Sequence, residues 1–194
     1  EYSKSMVIEL GGGRSYVTIE QLELKRILAP TNYGYGIIAG GGGGNILIKG
    51  CYIHGWRTSA STDEAHGGVI FGWADPTVDT IVIDSTEIEN SENLAVQQNG
   101  VCVRMVGVIR NGSRIHDNSS GVLYCLDFDG SYLYNITGTP FDLVPDPNAA
   151  YHTNGVYLDP TTLGKSYGTI RNSYFHDVSG GANMAYPNPR GGAT

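Results

Sequence analysis

The 194 residues carry a net charge of -7, with 40% apolar and only 16% charged residues, 28 glycines and 13 tyrosines. That length suffices for one domain with a core of its own. The acidic balance, without any basic stripe, argues against a nucleic-acid partner, and no apolar run reaches the length of a membrane span.

Low charge, abundant Gly and Tyr, and few Leu or Ala at helical spacing point to β structure. The first residues, Glu1-Tyr2-Ser3-Lys4, contain neither an initiator Met nor a signal peptide. Met6-Val7-Ile8-Glu9-Leu10 then reads as a strand of an earlier coil. Beyond it a repeat sets in, an apolar strand followed by a small turn residue and a second apolar position about three residues on. The copies begin with Val17-Thr18-Ile19-Glu20-Gln21-Leu22-Glu23-Leu24 and continue with Ile46–Ile53 and Ile81–Ile88. The fourth, Val108-Ile109-Arg110-Asn111-Gly112-Ser113-Arg114-Ile115, carries one extra residue; Leu126–Leu133 and Thr169–Phe175 complete the series. The corner position reads Gln21, Gly50, Ser85, Asn111, Gly130 and Asn172, mostly residues that turn cheaply.

After a loop, each copy is followed by a strand headed by glycine: Gly36-Ile37, Gly68-Val69, Gly100-Val101, Gly121-Val122, Gly155-Val156 and, more weakly, Gly181-Ala182. The corners are unequally spaced, whereas a propeller or a hexapeptide helix holds a tight period. Constant strand chemistry with variable loops predicts coils that stack in register and bury their inward residues on one another. Six coils at ~4.8 Å each make a rod roughly 30 Å long. Residues 1–194 read as a single domain, truncated at one or both ends, because the tail Tyr186–Thr194 stops where a further strand would begin. Cys51, Cys102 and Cys125 have neither metal-type spacing nor an even count, and read as small buried side chains.

This pattern, apolar-x-Asn/Gly/Ser-x-x-Ile-x-Asp/Asn followed by a loop and Gly-Val, resembles the right-handed parallel β-helix repeat of the pectin-lyase-like superfamily, from about Val17 to Met184. The resemblance implies an all-β, right-handed parallel β-helix (β-solenoid) of about six coils, with long loops in the second, third and fifth. In enzymes that this repeat resembles, substrate lies in a groove on the Gly-headed strand, walled by the preceding loops. Here those loops span 54–67, 89–99, 116–120, 134–154 and 176–180, so a cleft is expected over the short fourth coil, floored by His116-Asp117-Asn118.

His66, His116 and His152 are placed to approach one another there and are the candidate general acids or bases. Glu64, Arg104, Asp117, Asn154, Tyr157 and Asp159 are the candidate substrate-binding residues, Arg104 as a guanidinium for a uronate carboxylate. Against this, His54, His116 and His176 recur at one position of the repeat, which suits a stacking element, whereas His66 and His152 lie in loops outside it. Calcium-dependent lyases of the superfamily cluster Asp/Glu on the Gly-headed strand. Here simple alternation turns Ile70, Cys102, Leu123 and Tyr157 outward, with no acidic cluster. No carboxylate set of the hydrolase kind assembles either.

No metal ligand is assigned from the sequence, and Ca2+ is the one cofactor it leaves open. Asp127 and Asp129 share an outer strand face that could touch Ca2+, although a solvated face explains them more simply. Asn111, Asn118 and Asn135 stand in glycosylation sequons, and Trp56, Trp73, Tyr33, Tyr35 and Tyr186 offer flat rings to sugars. The expected function is that of a secreted or cell-surface β-helix that engages polysaccharide, as a lyase- or hydrolase-like enzyme on acidic glycans. The competing expectation is a non-catalytic structural or adhesive solenoid that self-associates through its ends or faces.

Overall fold

The computed structural model describes residues 5–10, 15–25, 28–29, 34–39, 45–55, 57–58, 68–72, 81–89, 92–93, 103–104, 107–118, 121–125, 127–136, 154–158, 168–178 and 183–187. All regular structure among them is β-strand. Ser5–Leu10 (β1) comes first. Thr18–Glu20 (β2), Glu23–Lys25 (β3), Leu28–Ala29 (β4) and Gly34–Ala39 (β5) follow as one pass of the chain. The next two passes are Ile46–Lys49 (β6), Tyr52–His54 (β7), Arg57–Thr58 (β8) and Gly68–Gly72 (β9), then Ile81–Asp84 (β10), Glu87–Glu89 (β11), Glu92–Asn93 (β12) and Val103–Arg104 (β13). Three passes with three described strands each follow: Gly107–Arg110 (β14), Arg114–Asn118 (β15) and Val122–Cys125 (β16); Asp127–Asp129 (β17), Tyr132–Ile136 (β18) and Asn154–Leu158 (β19); and Thr169–Arg171 (β20), Tyr174–Val178 (β21) and Asn183–Pro187 (β22).

Every strand pairing is parallel, and each sheet gains its strands in chain order. The first sheet runs β1-β5-β9-β13-β16-β19-β22, the second β2-β6-β10-β14-β17-β20 and the third β3-β7-β11-β15-β18-β21. A three-stranded sheet, β4-β8-β12, lies between the third and first in chain order. Each pass thus lays one strand on each of the three larger sheets, an arrangement compatible with a β-solenoid. No helix among the described residues is long and apolar enough to cross a membrane.

The core is a set of apolar columns, one side chain per strand. Ile19, Ile48, Ile83, Ile109 and Phe128 stand in register in the second sheet, and Leu24, Ile53, Ile88, Ile115 and Leu133 in the third; all are buried. Ile37, Ile70, Val122 and Val156 supply the column of the first sheet. β-Branched residues suit this packing because each methyl meets the same methyl one strand away.

The corner residues share one unusual conformation. Gln21, Gly50, Ser85, Asn111, Gly130 and Asn172 all have a left-handed backbone, with φ between 49° at Ser85 and 58° at Gly50. This aims the corner N–H at the neighbouring pass: Gln21 donates to the Lys49 carbonyl, Gly50 to Asp84 and Gly130 to Arg171, each at 3.0 Å. In the fourth copy the extra residue takes over, and Gly112 N donates to the Gly130 carbonyl at 2.7 Å. Inside the corner runs a file of small polar side chains. Cys51 N donates to Thr86 Oγ1, Thr86 N to Ser113 Oγ and Ser131 N to Ser173 Oγ, so that backbone groups at a tight bend are satisfied away from water. Cys51 is a buried free thiol in that file.

Asp84 closes the outside of the same corner. Its carboxylate accepts from Arg110 Nε at 2.7 Å, Asn111 Nδ2 at 2.8 Å and Ser85 Oγ at 2.9 Å. Burial alone would push its pKa up, but the hydrogen bonds from Arg110, Ser85 and Asn111 and the Arg110 charge outweigh that and hold it below its ordinary value of 3.8. A carboxyl depressed in the folded state stabilises the fold above its unfolded pKa, and the contribution is lost as pH falls through the folded one. Asp84→Asn is therefore expected to cost about 1.5–3 kcal/mol at neutral pH, the range for hydrogen bonds to a charged group. In urea unfolding at a series of pH values, the gap between wild type and variant should close below about pH 4.

One reading of the first sheet is corrected. Ile70, expected to face outward, is 1% exposed. Its register with Ile37 fixes the reversal: Ile70 lies two residues after Gly68, whereas Ile37, Val122 and Val156 lie one residue after Gly36, Gly121 and Gly155. Arg104 stands in register with Phe71 and Leu123. The strand expected at Met6–Leu10 is present and pairs with β5.

Candidate functional site

The outer face of the third sheet gathers most of the chemistry among the described side chains. Alternation turns Leu24, Ile53, Ile88, Ile115 and Leu133 inward, so the residues before and after them face outward. In register they form two columns. One reads Glu23, Tyr52, Glu87, Arg114, Tyr132, Tyr174; the other reads Lys25, His54, Glu89, His116, Tyr134, His176.

One end of this face is aromatic. His116, Tyr134 and His176 stack nearly parallel, with centroids 4.5 and 4.7 Å apart and planes within 3° and 5°. Parallel strands impose this, since rings on one column sit about one strand spacing apart. Beside them Tyr132 and Tyr174 meet edge to face at 6.4 Å. They remain 41% and 58% exposed, which leaves their rings open to a ligand. The Arg114 guanidinium lies 6.0 Å from the Tyr132 ring centroid, and no carboxylate among the described residues forms an ion pair with it. Burial is the main cause that raises the Tyr134 hydroxyl above its ordinary pKa.

The other end is acidic. His116 is 6% exposed and three carboxylates converge on it. Asp117 Oδ2 lies 2.6 Å from Nδ1, Glu87 Oε1 lies 3.0 Å from Nε2 and Glu89 Oε2 lies 3.7 Å from Nδ1. The remaining oxygens of two of them are held from outside: the Tyr52 hydroxyl donates to Glu89 Oε1 and Asn135 Nδ2 to Asp117 Oδ1. The bond to Glu89 pushes the Tyr52 hydroxyl up to about 12. Farther along, His54 Nε2 lies 3.0 Å from Glu23 Oε1, an interaction that leads the causes lowering the Glu23 pKa.

Of the residues named from the sequence, the structure brings together His116 and Asp117. Arg104, Asn154 and Tyr157 belong to the first sheet, as parts of β13 and β19. Glu64, His66, His152 and Asp159 lie outside the described residues, as do Trp56, Trp73, Tyr33 and most of the loops expected to wall the cleft. His116 and His176 do stack with their repeat neighbour Tyr134, as a recurring position suggests. Asn118 is fully buried and donates Nδ2 to the Ile88 carbonyl, so its sequon is closed to a glycan in the folded chain. Asp127 and Asp129 share an outer face but are engaged by the next pass: Thr169 Oγ1 donates to Asp127, and Arg171 and Asn172 donate to Asp129.

The aromatic columns, Arg114, Glu87 and Glu89 escaped the sequence reading. A signal for part of them exists: Tyr52, Tyr132 and Tyr174 all stand two residues after a corner. Comparison with protein-family models, curated proteins and solved structures finds no match to this chain. The functional reading therefore rests on geometry.

Proposed function

We propose that the chain is a right-handed parallel β-helix of the pectin-lyase-like kind that binds acidic polysaccharide along the outer face of its third sheet. The observation that carries this reading is the pair of open rings, Tyr132 and Tyr174, on consecutive strands beside the Arg114 guanidinium. A tyrosine ring offers a flat apolar surface to the C–H face of a sugar and keeps a polar tip in water. Strands repeat every ~4.8 Å along the stack, so a saccharide chain lying along that direction meets successive rings. Arg114, whose planar fork matches a carboxylate, gives the face a preference for uronates in spite of the protein's net negative charge. A secreted or cell-surface location goes with such a ligand. Lyase- or hydrolase-like turnover by His66, His116 and His152 would be an extension of the same reading.

Calorimetric titration with a polyuronate and with a neutral glucan tests it. The wild type should bind the polyuronate more tightly. Tyr132→Ala combined with Tyr174→Ala should weaken that binding at least tenfold, which corresponds to about 1.4 kcal/mol. Arg114→Ala should reduce the preference for uronate over glucan. Equal binding by wild type and the double tyrosine variant would overturn the reading, and the exposure of both rings makes loss of fold an improbable cause of weakened binding.

A further inference from the structure

We propose that Asn111 is a deamidation site that the fold holds shut. Its side-chain amide converts to aspartate or isoaspartate only when the corner of the fourth pass opens, and the product keeps that corner from closing again. The proposal is independent of the glycan reading.

An asparagine followed by glycine is the pair most open to this reaction, because glycine has no side chain to hinder its own nitrogen. The Gly112 nitrogen gives up its proton and bonds to Asn111 Cγ, while the Cγ–Nδ2 bond breaks and Nδ2 leaves as ammonia. Water then opens the five-membered imide at either carbonyl, so amide and water become carboxylate and ammonium. The sequence holds three such pairs, Asn99-Gly100, Asn111-Gly112 and Asn154-Gly155. The first lies outside the described residues and the third belongs to strand β19. Asn111-Gly112 is at a described corner with both residues exposed, and a Cβ on Gly112 would meet nothing within 4 Å, so water reaches the peptide between them.

In the folded chain the two reacting groups are anchored to the passes on opposite sides. Asn111 Nδ2 donates to Asp84 Oδ2 at 2.8 Å in the third pass, whereas Gly112 N donates to the Gly130 carbonyl at 2.7 Å in the fifth. The other end of the same peptide is pinned as well, since Ser85 Oγ donates to the Asn111 carbonyl at 3.0 Å. Ring closure requires this peptide to turn about the Asn111 Cα–C bond and its N–H to come free, and both movements break those bonds. Charge acts in the same direction. The Asp84 carboxylate, ion-paired with Arg110, sits beside the amide under attack and disfavours the negative charge that develops there.

The product acts on the corner in turn. Aspartate at 111 has no N–H to give Asp84 and sets a second carboxylate against it, and like charges facing each other on neighbouring strands repel. Isoaspartate also adds a backbone carbon at the bend, which displaces Gly112 N from the Gly130 carbonyl. Conversion is one-way and accumulates with each opening of this corner.

The test follows conversion in the full chain at neutral pH by digestion and mass spectrometry, folded in buffer and unfolded in guanidinium chloride. Asn99 and Asn154 serve as internal standards for the unfolded rate. Asn111 should convert at least about tenfold more slowly in the folded chain, where the reaction runs only in the open fraction. Asp84→Ala, which frees Nδ2, should speed conversion in the folded chain more than Phe128→Leu, which loosens the core and leaves the corner contacts in place. Circular dichroism checks that both variants are folded. As a mimic of the product, Asn111→Asp should lower the urea midpoint more than Asn111→Gly, which loses the same bond without adding a charge. That difference should shrink in acid as one carboxylate is neutralised. Equal rates in the folded and unfolded chain would overturn the proposal, as would an Asp84→Ala rate no faster than that of Phe128→Leu. Equal midpoints for Asn111→Asp and Asn111→Gly would overturn the effect of the product on the corner.

Discussion

Phe128→Ala is expected to cost about 3–5 kcal/mol, the range for emptying a buried aromatic site. Phe128 is fully buried, in register with Ile109 on one side and Ile170 on the other, and its ring lies 5.3 Å from that of Phe175. It is the one aromatic side chain in a column otherwise built of isoleucine, so alanine removes most of the volume that fills that level of the stack. Neighbouring strands cannot close the gap, because their spacing is fixed by the parallel hydrogen bonds on either side. Whole domains are stable by only about 5–15 kcal/mol, so the loss should move the urea midpoint far down without changing the slope. Phe128→Leu should lose less. A midpoint for Phe128→Ala close to that of the wild type would mean that the column is not packed as described.

Gly107→Ala should be at least as damaging, by a different route. Gly107 begins β14 with φ +147°, and a Cβ placed there would lie 2.0 Å from the carbonyl oxygen of Ile81. That atom is backbone, in the strand to which β14 is paired, so no side-chain rotation relieves the overlap and the ladder itself must part. A loss above about 4 kcal/mol, or failure to fold, is expected, an effect reserved for a few mechanisms such as this one. Gly112→Ala is the control. It too has a left-handed backbone, with φ +74°, but a Cβ there meets nothing within 4 Å. Its cost should stay near the ~1–2 kcal/mol of placing an L-residue in that conformation. Similar unfolding midpoints for the two variants would show that the close approach at Ile81 is not decisive.

What could be read from residues alone divides along physical lines. The corners were legible because turn chemistry is local: Asn, Gly and Ser stand where the chain must turn left-handed, and even Gln21 follows. The inward columns of the second and third sheets were legible for the same reason, since Ile46-Leu47-Ile48 and Ile81-Val82-Ile83 alternate from a fixed corner. The first sheet gave a wrong phase at Ile70. Val69-Ile70-Phe71 is an unbroken apolar run, and without a turn to anchor it the sequence does not say which residue faces inward.

The site depends on register between passes. Glu87 and His116 lie 29 residues apart and meet because β11 and β15 pair with Glu89 opposite His116. No motif spacing announces such a pair, since the intervening length can change without moving either strand. The tyrosine column was visible as a recurrence two residues after the corner. Its openness to ligand was not visible, because Tyr134, on the neighbouring column, is partly covered while Tyr174 is 58% exposed.

A crystal structure with a bound oligouronate tests the central claim most directly. The account predicts sugar rings lying over Tyr132 and Tyr174 along the strand-stacking direction, with a carboxylate on the Arg114 guanidinium. An oligosaccharide seated instead against the first sheet, with the rings of Tyr132 and Tyr174 bare, would contradict it.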